Sequence, residues 1–484
     1  MPWSRSTEIV WMEQKLSLPS MGQAALVLGT FLALAFSFTA KLNLPIQLAL
    51  FIGWFLVMGL GIKLGYKYKD LEAAASEGIF KGMGAILILI AVGALVGTWI
   101  AGGIVPSIIY YGLMTIHPSV FLLATMVICS MTALATGTSW GAAGTAGIAM
   151  MGIGQGLGIP APMTAGAVLS GVYFGDKLSP LSDSVILASS MSEVEIVDHI
   201  KGMLPISLTA YVLTGIAFTI AGFSYGGNAD LAQVQAVMTA MDANFTISPL
   251  AFIPVAIVLF LLSKKLPSYP VLAFGAAMGM LWAIILQDRS PVEAMSAIWA
   301  PLTIDSGNAF IDSILNRGGM SNMLGSVAVI IFGLGFGGLL DKVGILETIA
   351  KQFEKKVTNE GNLTVYTVIT AFLANVFGSA MYVSLILTPK IMAKNYDRLG
   401  ADRRMLSRSA EFGGTLTSGM VPWSDNGIFM AGLLGVSTFA YIPYMWMSFI
   451  SIGLVILFAY LGKFRPNDNK YVKSQENLGD YAAA

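Results

Sequence analysis

The chain of 484 residues is too apolar for a soluble protein. Hydrophobic residues make up 56% of it and charged residues 11%, whereas a soluble domain carries about 25% charged residues. The composition therefore predicts an integral membrane protein surrounded by lipid. The net charge is zero, so no nucleic-acid partner is expected, and the single cysteine, Cys129, excludes an internal disulfide.

Eight apolar stretches approach the length needed to cross a bilayer, which is about 20 residues. They lie at 22–40, 44–62, 83–103, 203–223, 249–263, 269–287, 321–340 and 443–462. Between them, 119–190 and 363–436 are apolar but broken by Gly, Pro, Ser and Thr. We therefore predict an all-α, polytopic membrane protein of about 10–13 transmembrane segments, some of them discontinuous.

Small residues at helical spacing indicate close helix packing. "GALVG" (93–97) and "GVYFG" (171–175) each place two glycines four residues apart. Such faces let helix backbones approach in lipid, where apolar burial gives little driving force.

Basic residues mark one side of the membrane. They are Lys63, Lys67, Lys69, Lys81, Lys264, Lys265, Lys342, Lys351, Lys355, Lys356, Lys390, Lys394, Arg398, Arg403, Arg404, Arg408, Lys463, Arg465, Lys470 and Lys473. The six from Lys390 to Arg408 are predicted to share one loop, whereas 104–118 and 225–247 contain no Lys or Arg. The positive-inside rule then places both termini in the cytoplasm.

The two halves of the chain repeat. "GAILILIAVGALVGTWIAGGI" starts at 84 and "GSVAVIIFGLGFGGLLDKVGI" at 325, an offset of 325 − 84 = 241. "PLSDS" from Pro180 matches "PWSDN" from Pro422, an offset of 422 − 180 = 242. The first span leaves the basic side and its partner arrives there, so we predict an inverted repeat, which is typical of secondary transporters.

These observations divide the chain into five parts. They are a cytoplasmic tail at 1–21, a first transmembrane repeat at 22–224, an external connecting loop at 225–248, a second, inverted repeat at 249–462 and a cytoplasmic tail at 463–484.

Polar breaks interrupt both halves at matching places. "ATGTSWGAAGT" (135–145) lies inside the apolar run 119–158, and "ANVFGSAMY" (374–382) holds the equivalent position in the second half. The polar side chains on offer are Thr136, Thr138, Ser139, Asn375 and Ser379. We expect each break to be the tip of a re-entrant hairpin, with two full crossings as the alternative.

The two Pro-x-Ser-Asp breaks are candidate ion sites. Unwound backbone at membrane depth is tolerated only where it lines a cavity or is buried in protein. Carbonyl, hydroxyl and carboxylate oxygens there suit a hard cation such as Na⁺. The candidates are Ser179, Ser182, Asp183, Ser424, Asp425 and Asn426. We predict Na⁺ at Asp183, Thr138 and Asp425; the structural alternative is that either Asp only caps the following helix.

Asp176 and Lys177 add two charges in an apolar context. A carboxylate at the bilayer centre costs roughly 2.5–3.5 kcal/mol on insertion scales, so such residues serve function by default. We predict that Asp176 handles protons or attracts the ion and that Lys177 is its candidate charge partner. His117 and His199 are predicted to be loop histidines rather than metal ligands.

The segment "YFGDKLSPLSDS" (173–184), preceded by "TGTSWGAAGT", resembles the NhaC family of sodium/proton antiporters, with weaker similarity extending to "FGGTLTSGMVPWSDNG". The resemblance implies exchange of cytoplasmic Na⁺ for external H⁺ across a bacterial inner (plasma) membrane. It also implies an alternative, since some relatives exchange small carboxylates such as malate and lactate.

The sequence therefore predicts a Na⁺/H⁺ antiporter that works by alternating access, not an enzyme, with Na⁺ (or Li⁺) and H⁺ as cargo and no cofactor. A Na⁺- or H⁺-coupled carboxylate exchanger is the alternative. It is less favoured because Lys177 is the only obvious intramembrane cation to meet a carboxylate. A channel would need a continuous polar path rather than two broken helices. A homodimer is compatible with this class.

Overall fold

The protein is all-helical, as predicted. The computed structural model describes residues 18–42, 44–180, 182–226, 231–264, 266–304, 312, 316, 318–354, 357–466, 468 and 470–472. No strand occurs in these ranges. The predicted tails at 1–21 and 463–484 lie largely outside them.

The first half contains twelve described helices. They are α1 (Met21–Phe36), α2 (Ile46–Lys63), α3 (Tyr68–Lys81), α4 (Met83–Ala101), α5 (Ile104–Thr115), α6 (Pro118–Thr136), α7 (Ser139–Ala142), α8 (Ile148–Gly156), α9 (Ala161–Leu178), α10 (Asp183–Met191), α11 (Ile196–Gly226) and α12 (Leu231–Asn244). A π-helical turn at Ala143–Gly147 joins α7 to α8, and another, Ser37–Lys41, extends α1. The segment 225–248, expected to be a connecting loop, holds α12.

The second half is also helical. Its described helices are α13 (Phe252–Ser263), α14 (Ser268–Ile285), α15 (Pro291–Trp299), α16 (Met320–Val343), α17 (Ile345–Glu354), α18 (Glu360–Gly378), α19 (Met381–Arg398), α20 (Arg403–Ser418), α21 (Asp425–Leu434), α22 (Thr438–Tyr441) and α23 (Trp446–Tyr460).

The predicted apolar stretches all fall on helices. Within the described ranges, seven helices are long and apolar enough to cross a bilayer, or up to ten if each of three sharply bent pairs forms one span. The upper value of ten spans equals the lower end of the predicted range of about 10–13 segments. The chain is therefore a multi-pass membrane protein.

Local sequence explains where helices begin and end. Ser20 and Gln23 form a reciprocal capping box at the start of α1. Pro118 opens α6, where its missing N–H leaves no bond unmade. Gly103, with φ +70°, supplies the left-handed residue between α4 and α5, and the two helices meet at a 69° bend.

The internal repeat recurs in the backbone. Gly344 lies 344 − 103 = 241 residues after Gly103, has φ +76°, and likewise separates two helices, α16 and α17. The predicted correspondence of these two glycines is reproduced in their conformation. The inversion of the repeat stays a prediction.

The glycine faces pack as predicted. A side chain at Gly171 would collide with the Met126 carbonyl of α6, and one at Gly175 with the Ser130 carbonyl. The α6 and α9 backbones therefore touch along this face. Gly93 and Gly97 make equivalent close approaches to the backbone around Ala297 and Gly319.

The prediction of one basic loop from Lys390 to Arg408 is wrong. Lys390, Lys394 and Arg398 lie in α19, and Arg403, Arg404 and Arg408 lie in α20, all three of them buried. Only 399–402 connect the two helices. Carboxylates pair with two of these arginines, since Arg403 lies 2.7 Å from Asp397 and Arg404 lies 2.7 Å from Asp402. Arg408 donates instead to the carbonyls of Gly202 and Phe464.

The described part of the C-terminal tail lies on this basic end. Asp468 also pairs with Arg404, whose guanidinium holds the pKa of Asp468 below its usual value. Lys470 Nζ lies 2.8 Å from Asp198 Oδ2 at the start of α11. Asp198 therefore helps to hold the described part of the tail against α11.

Substituting Gly175 with Val should destabilise the fold, because the added side chain forces α6 and α9 apart. Overpacking typically costs about 1–3 kcal/mol. Thermal unfolding of the detergent-solubilised protein should show a midpoint lowered by several degrees. Gly59→Ala is the matched control, since nothing lies within 4 Å of a Cβ at Gly59. Equal midpoints for the two variants would show that the α6–α9 contact is not tight.

Candidate functional site

At both polar breaks the chain turns back on itself, as a re-entrant hairpin and a pair of crossings both require. In the first half α6 ends at left-handed Gly137 (φ +70°), and the returning arm packs back on α6, with Gly154 against Phe121. In the second half Ser384 Oγ of α19 donates to the Ala371 carbonyl of α18 at 2.7 Å. The chain therefore reverses direction at both polar breaks.

The hairpin tips share one backbone geometry. Ser379 has φ +56° and ends α18, as Gly137 ends α6, and 379 − 137 = 242. The next residues, Thr138 (φ −151°) and Ala380 (φ −149°), are both extended and open the returning helices. The non-glycine Ser379 in a left-handed conformation carries strain that the surrounding packing must hold.

Four helices begin around one cavity of about 810 Å³. They are α7, α10, α19 and α21, whose N-cap residues are Thr138, Ser182, Ala380 and Ser424. The first turns of all four line the cavity. A helix N-terminus presents unpaired N–H groups and a partial positive charge. The cavity is therefore ringed by the positive ends of four helices, although no Lys or Arg is among its described lining residues.

Eight of the predicted site residues line this cavity together. They are Thr136, Thr138, Ser139, Asp176, Ser182, Asp183, Asp425 and Asn426. Residues from both halves, more than 240 positions apart in sequence (425 − 183 = 242), thus meet at one place.

Of the four carboxylates that line the cavity, the three predicted site residues differ in their surroundings, and the fourth is Asp341 near the end of α16. Asp176 is 4% exposed and lies in the last turn of α9. Asp425 is 3% exposed, and its Oδ1 accepts from the N–H groups of Asn426 at 2.6 Å and Met381 at 3.2 Å. Asp183 is exposed to the cavity.

Asp425 therefore holds structure as well as facing the cavity. Besides accepting the Met381 N–H, it donates its own N–H to the Ser379 carbonyl at 2.9 Å. These bonds tie the tip of the α18–α19 hairpin to the start of α21. Neither Asp is the N-cap that the structural alternative supposed, because the cap positions of α21 and α10 are Ser424 and Ser182.

Other predicted residues lie beside the cavity rather than in its lining. Ser179 Oγ donates to the Leu134 carbonyl at 3.0 Å. Asn375 Nδ2 donates to the Gly414 carbonyl at 2.6 Å and to Thr417 Oγ1 at 2.9 Å. Both side chains therefore fasten a break to its neighbouring helix.

Ser424, Ser379 and Lys177 are also placed behind the lining. Ser424 Oγ accepts from the Gly427 N–H at 3.0 Å and caps α21. Ser379 Oγ is buried without a hydrogen bond. Lys177 is fully buried and does not contact Asp176 as an ion pair; its Nζ lies 3.9 Å from the centre of the Phe412 ring.

Trp140 connects the two halves. Its Nε1 donates to Asn426 Oδ1 at 2.6 Å, and its ring stacks on Phe429 with centroids 4.2 Å apart. The tip of the first hairpin is thereby bound to the start of α21 in the second half. The sequence indicated neither contact.

Sequence reasoning missed Glu411 and misread His199. Glu411 is fully buried in α20, where its Oε1 accepts from Ser184 at 3.0 Å and Thr415 at 2.7 Å. His199, predicted in a loop, is fully buried in α11 and lies 4.0 Å from Glu411. The signal for Glu411 was available, because it is a carboxylate in a segment adjoining a predicted break, the same feature that singled out Asp176.

Within the described ranges, no group of three or more His, Cys, Asp or Glu side chains is arranged to hold a metal ion. Any cation in the cavity would therefore need hydroxyl and carbonyl oxygens as ligands in addition to the cavity's carboxylates.

Broken helices from two repeated halves that meet at one central cavity define a secondary transporter. The chain belongs to the Na⁺/H⁺ antiporter family, whose model matches residues 171–463. The resemblance to NhaC proteins seen in the sequence is thus confirmed.

Curated relatives extend over nearly the whole chain. It is 59% identical to the Malate-2H(+)/Na(+)-lactate antiporter of Bacillus subtilis, over 96% of this chain and 99% of that protein. It is 34% identical to the Na(+)/H(+) antiporter NhaC of Alkalihalophilus pseudofirmus, over 92% and 96%. It is 35% identical to the Arginine/ornithine antiporter ArcD of Halobacterium salinarum, over 96% of each.

Ser424→Ala should destabilise the protein by about 1 kcal/mol, the usual value for an N-cap, because the Gly427 N–H loses its acceptor. Thermal unfolding measures the loss. Ser437→Ala is the matched control: Ser437 is the N-cap of α22 but its exposed side chain makes no cap bond. A midpoint unchanged from wild type in Ser424→Ala would show that the capping bond contributes nothing to stability.

Proposed function

We propose that the protein is an antiporter that couples Na⁺ and H⁺ to the exchange of small carboxylates. The observation that carries this proposal is the cavity itself, where four helix N-termini meet the carboxylates of Asp176, Asp183 and Asp425. The sequence alone favoured bare Na⁺/H⁺ exchange, because a cation to meet a carboxylate was scarce. The helix N-termini supply that missing positive potential.

The size of the cavity supports an organic substrate. About 810 Å³ is within the range of small-molecule sites and far more than one Na⁺ requires. The relative named for malate and lactate shares 59% of its sequence with this chain, and identity at that level over the full length favours a similar substrate class.

The aspartates of the cavity are suited to bind Na⁺ and to exchange protons. In our proposal Asp183, Thr138 and Asp425 bind Na⁺ through their oxygens. Ser182, Ser139 and Thr136 complete the polar lining, and Asp176 takes part in proton exchange. A substrate carboxylate would lie at the start of α10, where the cap residue Ser182 makes no side-chain cap bond.

Access is proposed to be from the cytoplasm. The cavity lining includes Gly82 between α3 and α4, Ser268 at the start of α14, and Asp341 near the end of α16. These positions adjoin the basic segments predicted to be cytoplasmic. The conformation would then be inward-open, with Na⁺ leaving the cell in exchange for external H⁺ through alternating access.

Bare Na⁺/H⁺ exchange is the second candidate. No described lining residue is a Lys or Arg, so the cavity has no side-chain cation for a carboxylate. The 34%-identical relative is named a Na⁺/H⁺ antiporter.

Proteoliposomes with an internal pH dye separate the two candidates. We expect little response to NaCl alone, and a rapid change of internal pH once malate and lactate are placed on opposite sides with Na⁺. A full response to NaCl alone, unaffected by either carboxylate, would establish bare cation exchange.

Asp183→Asn should lower the apparent Na⁺ affinity at least about tenfold, equivalent to about 1.4 kcal/mol, because the amide keeps the shape but loses the charge. Na⁺-dependence of transport in proteoliposomes measures it. Asp242→Asn is the matched control, since Asp242 is exposed in α12 and away from the cavity lining. Equal Na⁺ affinity in both variants would remove Asp183 from the Na⁺ site.

A further inference from the structure

A second cavity, of about 320 Å³, lies apart from the cavity that holds the proposed Na⁺ site, which we call the site cavity. The two cavities share none of their described lining residues. The second cavity lies between α4, α5, α8, α16 and α21, and its walls are mostly aliphatic. Its polar side chains are Gln155 of α8 and Asn322 of α16, and no ionisable residue is among the described residues that line it. The second cavity is therefore not a further part of the Na⁺ site.

The two cavities lie in series along α4 and α16. On α4, Ile88 lines the site cavity and Ile100 lines the second cavity. On α16 the order along the chain is reversed, because Met323 lines the second cavity and Asp341 lines the site cavity. The two helices thus pass the same two cavities in opposite directions, as an inverted repeat requires.

The broken segments also extend from one cavity to the other. α21 begins at the site cavity with Asp425 and ends at the second cavity with Gly435, ten residues later, which is about 15 Å along a helix. The returning arm of the first hairpin begins at the site cavity with Thr138 and reaches the second cavity with Gln155. The segments that carry proposed cargo ligands therefore also line the second cavity.

The internal repeat relates the second cavity to the mouth of the site cavity. α4 and α16 contribute four residues to the second cavity, and three of these have repeat partners that line the site cavity. The pairs are Val96 with Gly337, Ile100 with Asp341 and Met323 with Gly82, all at one offset (337 − 96 = 341 − 100 = 323 − 82 = 241).

This correspondence gives the second cavity a side of the membrane. Gly82 and Asp341 belong to the mouth of the site cavity that is proposed to face the cytoplasm. In an inverted repeat, the counterpart of a cytoplasmic mouth faces the exterior. Val105 and Ile109 of α5 agree with this side, because they line the second cavity and belong to 104–118, which is predicted to be external for lack of Lys and Arg.

Glycines form the contact that separates the two cavities. A Cβ atom at Gly144, just before α8, would lie 3.5 Å from Val92 Cγ2 of α4. A Cβ atom at Gly432 of α21 would lie 2.7 Å from Ser326 Oγ of α16. Because glycine has no side chain that could interlock with α4 or α16, this contact suits the small sliding movements of packed helices.

We propose that the second cavity is the outer end of the transport path, through which Na⁺ and the small carboxylate pass when the protein opens to the exterior. The proposal rests on the exchange proposed above and deepens it. In this conformation the contacts of Gly144 and Gly432 with α4 and α16 close the path between the two cavities. Opening to the exterior shifts these contacts and closes the cytoplasmic mouth at Gly82 and Asp341.

The polar side chains of the second cavity suit passage rather than capture. The side-chain amides of Gln155 and Asn322 each offer a carbonyl oxygen to a cation and N–H groups to a carboxylate. Neither amide carries a charge that would hold one cargo strongly. Cargo of either sign can therefore cross between α8 and α16.

Cysteine labelling from each side of the membrane tests the proposal. Every variant also carries Cys129→Ala, which removes the single native thiol. Asn322→Cys and Gln155→Cys report on opposite walls of the second cavity, and Asp341→Cys reports on the cytoplasmic mouth. A charged, membrane-impermeant methanethiosulfonate is added to right-side-out or inside-out vesicles, and its reaction rate is measured with and without Na⁺, malate and lactate.

We expect Asn322→Cys and Gln155→Cys to react from the exterior and Asp341→Cys to react from the cytoplasm. The cargo should change the rates at the two ends at least threefold and in opposite directions, because opening one end closes the other. Labelling Asn322→Cys or Gln155→Cys should lower transport at least tenfold relative to the same variant before labelling, since the reagent fills the path.

Asp242→Cys in α12 and Glu72→Cys in α3 are the matched controls, because both residues are exposed and line neither cavity. They should react from the exterior and from the cytoplasm, respectively, at rates that cargo does not change.

Three results would overturn the proposal. They are reaction of the second cavity and of Asp341→Cys from the same side, rates at the second cavity that ignore cargo, and full transport after complete labelling of Asn322→Cys and Gln155→Cys. Opposite changes produced by Na⁺ alone, to which malate and lactate add nothing, would support the outer path and refute carboxylate exchange. The failure of this inference is thereby distinguished from the failure of the proposed function.

Discussion

Backbone groups that leave a helix within a membrane must find partners inside the protein, and this requirement organises the centre of the molecule. Four helix breaks meet there, and polar groups at these breaks form hydrogen bonds with one another or with a neighbouring helix. The Asp425 N–H donates to the Ser379 carbonyl, and the Asp425 carboxylate receives the Met381 N–H. In the first half Ser179 meets the Leu134 carbonyl. A cavity lined by oxygens and N–H groups is the space that remains between these mutually supporting breaks.

The two Pro-x-Ser-Asp breaks differ in how their polar groups are bonded. Ser424 caps its helix and Asp425 bonds to two backbone amides, so the second-half break is fastened by its own side chains. In the first half Ser182 makes no cap bond and Asp183 is exposed to the cavity. The second-half copy of the Pro-x-Ser-Asp motif is therefore bonded to the backbone, whereas the first-half copy is more accessible from the cavity. The accessible copy is also the one connected to the buried Glu411.

Sequence patterns predicted what depends on local chemistry. Apolar length located the spans, the glycine pairs predicted close packing of the helices that carry them, and the matching breaks predicted that Asp183 and Asp425 would contribute to one site. These features follow from spacing along the chain or from the repeat itself.

Features that depend on packing between distant segments were missed. His199 has ordinary loop-like neighbours in sequence, and only the approach of α20 buries it against Glu411. The basic residues from Lys390 to Arg408 satisfied a positive-inside pattern, yet half of them are buried, and Arg403 and Arg404 pair with carboxylates. Asn375 has the right chemistry for an ion ligand, but its amide is taken by α20. Composition and spacing carry no information on such partners.

The Trp140–Asn426 bond and the stacking of Trp140 on Phe429 have a consequence for movement. Alternating access requires one part of the molecule to shift against another. Because these contacts bind the tip of the first hairpin to α21, those two pieces travel as a single rigid body for as long as the contacts hold. The boundary between the mobile and static parts then cannot follow the midpoint of the chain. It must cut through both halves, grouping pieces of each into the block that carries the cargo.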